Sequence, residues 1–191
     1  MILKKILTAF LVLFAITVMA TCSLADSGDD VNRHDAKRDA QLANERCASL
    51  WIDGRRMGEL IVGASAKMEF QFVDKKLIHR IYAAAENFPE TMSWNASYYD
   101  KAAKLKCNLV ILHYKAISWW NFDPAKITVN GEPLPKKQIL SSMLSVHTGQ
   151  LSPNTEEVIA FGVPREISKP GKTLTFGYEE ASVELKIPSS R

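Results

Sequence analysis

Cysteine is scarce, with three in 191 residues, and histidine appears only four times. That scarcity excludes a small scaffold stapled by many disulfides. No C-x-x-C and no H-x-x-x-H occurs, so the pairs of close ligands that build zinc sites are missing. There is no Gly-rich phosphate loop and no G-x-S-x-G elbow. Charge of one sign is lacking too. Residues 1–25 hold two of the 24 Lys and Arg and no acid, which leaves 22 basic residues against 21 acidic ones, a net charge of +1. So even a balance gives no chain-wide field for nucleic acid, and no nucleic-acid partner is expected.

Long apolar runs are nearly absent, and the one present stands at the N-terminus. Lys4 and Lys5 precede the run Ile6 to Met19, and small residues follow it. This is the layout of a secretory signal peptide, with cleavage expected after Ser23-Leu24-Ala25 in preference to Val18-Met19-Ala20. Residues 1–25 are therefore read as a signal and the remainder as exported, to a bacterial periplasm or beyond. Two alternatives compete. Met19-Ala20-Thr21-Cys22 resembles a lipobox, departing from it at Met19 and Thr21, and would make a membrane-anchored lipoprotein acylated on Cys22. An uncleaved anchor is the other, since Ile6 to Ala25 carries no charge over about 20 residues. A membrane role follows only from these two. Without Cys22, Cys47 and Cys107 remain, and in an oxidising compartment a disulfide between them is expected.

Residues 26–46 read as a charged lead-in or weak helix, with Ala36, Ala40 and Ala43 at helical spacing. Residues 47–89 read as a small β-plus-helix element. In it, Ala48–Ile52 and Arg55–Val62 are expected to pair through an Asp53-Gly54 turn, because Asp-Gly suits the positive φ of a type I′ turn. Lys67–Val73 alternates, with Met68, Phe70 and Phe72 on one face, as a half-buried strand does. Asp74 is placed to cap a helix whose apolar side is Leu77, Ile78, Ile81, Tyr82, Ala85 and Phe88, and Pro89 closes it.

Residues 90–191 predict an Ig-like antiparallel β-sandwich, so the fold class is mainly β. Trp94–Tyr99 is expected as a strand and Asp100–Ala103 as its turn. Lys104–Ile117 is the long return strand, and its unbroken Leu109–Leu112 predicts burial on both faces. Asn130-Gly131 marks a hairpin, Pro133 and Pro135 an edge, and Pro170-Gly171 a type II turn. Near the C-terminus Ile159, Phe161 and Val163 share a face, as do Leu174, Phe176 and Tyr178, and then Val183, Leu185 and Ile187. The Cys-Trp-Cys arrangement of immunoglobulin domains is missing, so the likeness is one of architecture.

Chemistry is thin. Cys107, His113, Met143 and His147 are copper-ligand residue types, yet they do not cluster in one late loop as such sites require. His34 and His79 have no companion. Glu156-Glu157 and Glu179-Glu180 are carboxylate pairs, but neighbours on a strand face opposite ways. No catalytic residue, metal ligand or cofactor is assigned. Ser118-Trp119-Trp120-Asn121-Phe122 is the one suggestive stretch. Trp119, Trp120 and Phe122 are candidates for partner binding, against the alternative that the rings close the core. The expectation is an exported, non-enzymatic protein that binds a protein or glycan of the envelope or extracellular space. A hydrolase or metal-binding protein assembled from distant loops, and a membrane-tethered assembly subunit, are the alternatives.

Overall fold

The computed structural model describes residues 26–189. The expected signal segment and Cys22 lie outside the described residues. The chain divides into two units, one ending at Asp39 and one running from Ala40 onward. Helix α1 (Asp26–Asn44) begins in the first and ends in the second. No helix among the described residues is long and apolar enough to cross a membrane.

The second unit is mainly β, with antiparallel sheets. Its strands are β1 (Cys47–Ile52), β2 (Arg55–Met57), β3 (Leu60–Val62), β4 (Ala66–Val73), β5 (Cys107–Ala116), β6 (Trp120–Phe122), β7 (Ile127–Val129), β8 (Glu132–Pro133), β9 (Gly149–Leu151), β10 (Glu156–Pro164), β11 (Thr173–Tyr178) and β12 (Ala181–Lys186). One four-stranded sheet has the order β1-β4-β5-β10 and another the order β12-β11-β7-β8. Strands on either side of residue 90 are thus hydrogen-bonded into the same sheet.

The alternating residues explain why. Leu50 and Ile52 of β1, Met68, Phe70 and Phe72 of β4, Val110 and Leu112 of β5, and Ile159, Phe161 and Val163 of β10 join Leu174, Phe176, Tyr178 and Leu185 of the second sheet in one buried cluster. Phe70 stacks on Phe176 with ring centroids 4.6 Å apart. The opposite face of the first sheet is covered by helices. Cys107, Leu109 and Ile111 there meet Leu42, Leu77, Ile78, Ile81, Phe88, Ala96 and Ala102. Leu109–Leu112 is therefore apolar throughout because it is buried from both sides.

Helix α2 (Lys75–Ala83) starts where expected, with the Asp74 carboxylate accepting from the Leu77 amide at 2.8 Å. It ends before Ala85, and Tyr82 is exposed. Asn130 and Gly131 both take positive φ between β7 and β8, and Pro133 stands on the edge strand. Gly171 has φ +79, and the Lys172 amide donates to the Lys169 carbonyl at 3.1 Å, as a type II turn requires.

Three expectations are corrected. Trp94–Tyr99 is no strand. Helix α3 (Glu90–Asn95), a 3-10 turn and helix α4 (Tyr99–Lys104) occupy this segment. The aromatics favour a strand, but helical winding lets Ala96 and Ala102 reach the sheet and be fully buried, while Trp94 is left in solvent. Likewise β1 pairs with β4, not with the segment after Asp53-Gly54. Only β4 offers a complete apolar face to Leu50 and Ile52, and the hairpin forms instead between β2 and β3, turning at Gly58 with φ +64. Third, Cys47 and Cys107 are free thiols. Cys47 lies opposite Gln71, which lies opposite Ile111, four residues along β5 from Cys107. Strand spacing puts them about 10 Å apart across the sheet and about 13 Å along it, roughly 16 Å in all. A disulfide needs Cα atoms within about 7 Å.

Candidate partner-binding surface

Trp119 and Trp120 are separated by the fold. Trp120 starts β6 and is 6 % exposed, and Phe122, two residues on, faces the same way at 1 %. Their rings meet Tyr114 and Tyr178, with the Trp120 centroid 5.1 Å from Phe122, 5.2 Å from Tyr178 and 6.0 Å from Tyr114. Tyr178 is held in turn, donating to the Asn121 carbonyl at 3.1 Å and accepting from the Asp123 amide at 2.9 Å. Trp120 and Phe122 are core residues, which is the alternative the sequence offered for these rings. Trp119, pointing oppositely, is 65 % exposed.

The backbone at Trp119 is tied to a second exposed element. The Ile117 and Ser118 amides donate to the Ser65 carbonyl at 2.8 and 3.1 Å, and the Ser65 amide donates to the Ile52 carbonyl at 2.9 Å. Ser65 stands three residues after Val62, the last residue of the β2–β3 hairpin. In that hairpin Met57 pairs with Leu60 and Arg55 with Val62, so these four side chains share one face, while Arg56 and Ile61 share the other. Ile61 turns inward and sits so close to Gly54 that a Cβ there would meet it at 2.8 Å. The outward face is Met57, 65 % exposed, and Leu60, 70 % exposed, with Val62 and the Arg55 stem. Ile117 is exposed as well. Five large apolar side chains are thus exposed to water, Met57, Leu60 and Val62 on the hairpin and Ile117 and Trp119 between β5 and β6, with Arg55 on the hairpin's apolar face and Arg56 on its other. Sequence reasoning passed over the hairpin because its alternation resembles that of a half-buried strand.

Elsewhere several titratable groups pair with each other. Glu69 of β4 lies opposite His113 of β5, with the ring Nδ1 3.4 Å from the carboxylate, and Lys67 is 2.6 Å from it. The His113 contact and then Lys67 outweigh burial and hold Glu69 down at about 2. Glu156 approaches the other ring nitrogen at 3.7 Å and also pairs with Lys115. Glu157 pairs with His147, so Glu156 and Glu157 diverge as expected. Glu69, His113 and Cys47 line a cleft of about 410 Å³ with Met92, Ile111 and Val158. Burial first, and Glu69 next, push the Cys47 thiol up to about 11, which keeps it protonated and a poor nucleophile near neutral pH. No group of three or more His, Cys, Asp or Glu among the described residues is arranged to hold a metal ion. No family model, no curated protein and no solved structure matches this chain.

Proposed function

We propose that this is an exported, non-enzymatic protein that binds a protein partner of the cell envelope through the Trp119 and β2–β3 end. The observation that carries the reading is the exposed apolar face of Met57, Leu60 and Val62 on the hairpin that precedes Ser65, whose carbonyl accepts from the Ile117 and Ser118 amides next to exposed Trp119. Monomers rarely leave such groups together in water without a use for them. A two-stranded ribbon is also marginal on its own and gains from being covered. Arg55, on that same face, favours a partner with an acidic residue beside its apolar contact. The non-enzymatic part is supported by the protonated Cys47 thiol and the mutually paired charges around His113. Export is supported by the Lys4-Lys5, apolar and small-residue order of residues 1–25. We also read the two four-stranded sheets as an Ig-like β-sandwich, supported by their shared core.

The test is retention of envelope proteins by the immobilised chain. Trp119→Ala and Leu60→Ser should each lose a band that wild type and Lys186→Ala retain, with the melting temperature unchanged. Retention by both variants overturns the reading. Mass spectrometry of the mature N-terminus should find Asp26; lipidated Cys22 or intact Met1 would overturn the cleaved-signal part.

A further inference from the structure

The near-zero net charge conceals one place where cations converge. A cleft of about 770 Å³ opens between the start of α2 and the chain following β10. Its lining carries Arg46, Lys75, Lys76, His79 and Arg165 against two carboxylates, Glu45 and Asp74. Both carboxylates are taken up by Arg46. Its guanidinium is buried, 2.9 Å from Asp74 and 3.7 Å from Glu45, and also donates to the Leu42 carbonyl at 3.0 Å. The ion pairs among the described residues engage none of Lys75, Lys76 and Arg165. Three cations therefore border one cavity without a carboxylate partner. Like charges gathered this way repel, and the cost falls when an anion enters between them.

The rest of the wall is firm and mixed. Asn108 donates to the Ser168 carbonyl and hydroxyl oxygens at 3.1 and 2.9 Å, and the buried Ser168 hydroxyl donates to the Pro164 carbonyl at 2.8 Å. These groups hold the floor and are already satisfied. Tyr99, Phe72 and Ile187 add ring and aliphatic surface. At the mouth, Lys75 and Lys76 open the nine-residue helix α2, and Asp74 caps only the Leu77 amide, so the positive end of the helix adds to the cationic side. The volume lies within the range of small-molecule sites and far exceeds what a bare anion needs.

We propose that this cleft binds a phosphate monoester carried on a sugar-sized body. The doubly charged phosphate sits among Lys75, Lys76 and Arg165, with Arg165 as the fork-shaped donor suited to it. The body lies against Tyr99 and Ile187. This site is separate from the Trp119 end, and either stands if the other fails. The test is calorimetric titration of the mature chain with glucose 6-phosphate, glucose, glucuronate and inorganic phosphate, alongside vesicles of phosphatidylglycerol or phosphatidylcholine. Glucose 6-phosphate should saturate one site and bind more tightly than inorganic phosphate, while glucose should give no heat. Lys75→Ala/Lys76→Ala and Arg165→Ala should each weaken it about tenfold or more, with Lys172→Ala unchanged and all melting temperatures alike. Arg165→Gln serves if Arg165→Ala melts early. The proposal is overturned by absence of saturation, by glucuronate binding as tightly, by affinity that survives both sets of variants, or by binding to anionic vesicles alone.

Discussion

Replacing each of two adjacent tryptophans should give opposite results. Trp120→Ala removes a ring that is 6 % exposed and touches three other aromatics, at 5.1, 5.2 and 6.0 Å. Large-to-small changes of this kind cost about 3–5 kcal/mol, and aromatic pairing adds roughly 0.5–1.5 kcal/mol per pair beyond burial. The upper end of the range is therefore expected, because Tyr114, Phe122 and Tyr178 enclose the ring and the two tyrosine hydroxyls are hydrogen-bonded to the backbone, leaving little room to collapse. For a domain of this size each kcal/mol moves the melting temperature by about 2–4 °C, so the loss is roughly 8–20 °C. Trp119→Ala removes an exposed ring and should stay within about 0.5 kcal/mol. Thermal unfolding followed by circular dichroism reads both. Equal losses, or a larger loss for Trp119, would refute the assignment of alternate faces on which the binding surface rests.

Other outcomes follow from the same structure. Non-reduced, denatured protein should titrate with free thiols at Cys47 and Cys107; in the folded state Cys47, with its thiol raised from 9.0 to about 11, should alkylate about 100-fold more slowly than an ordinary cysteine at pH 8. Glu69 is held at about 2 when folded against an ordinary 4.5, so its contribution to stability is present above that ordinary value and is lost as pH falls from about 4.5 toward 2. In urea titrations Glu69→Gln should flatten the pH dependence of stability in that window, and an unchanged slope would contradict the His113–Glu69 contact. Asp74→Ala removes the α2 cap and strands the buried Arg46, so it should cost about 3–5 kcal/mol in the same assay. Asp74→Asn, which keeps an acceptor for the cap, should cost less.

Much of the β framework was legible in the sequence because alternation carries it. Phe70 and Phe72, Ile159 to Val163, and Leu174 to Tyr178 all face the core as their period of two implies. Asp74 and Asn130-Gly131 were legible because their side-chain and φ requirements are local. What failed was pairing over distance. Asp53-Gly54 has turn chemistry, but the partner of β1 was decided by the apolar face of β4, which no local pattern displays. Trp94 to Tyr99 failed because helical burial of two alanines outweighed the strand preference of three aromatics. The cationic cleft was invisible for a related reason. Lys75-Lys76 and Arg165 are 90 residues apart in a chain of nearly balanced charge, and only the fold brings them to one cavity. The apolar hairpin face was hidden because exposure is not written in a three-residue strand.

The central claim, that the Trp119 and β2–β3 end is a docking surface, is tested most directly by site-specific photocrosslinking in the native cells. A photoreactive residue at Leu60 and another at Trp119 should each form the same discrete adduct with one envelope protein, and the same residue at Lys186 should not. Adducts that differ between Leu60 and Trp119, or that appear equally at Lys186, would contradict it.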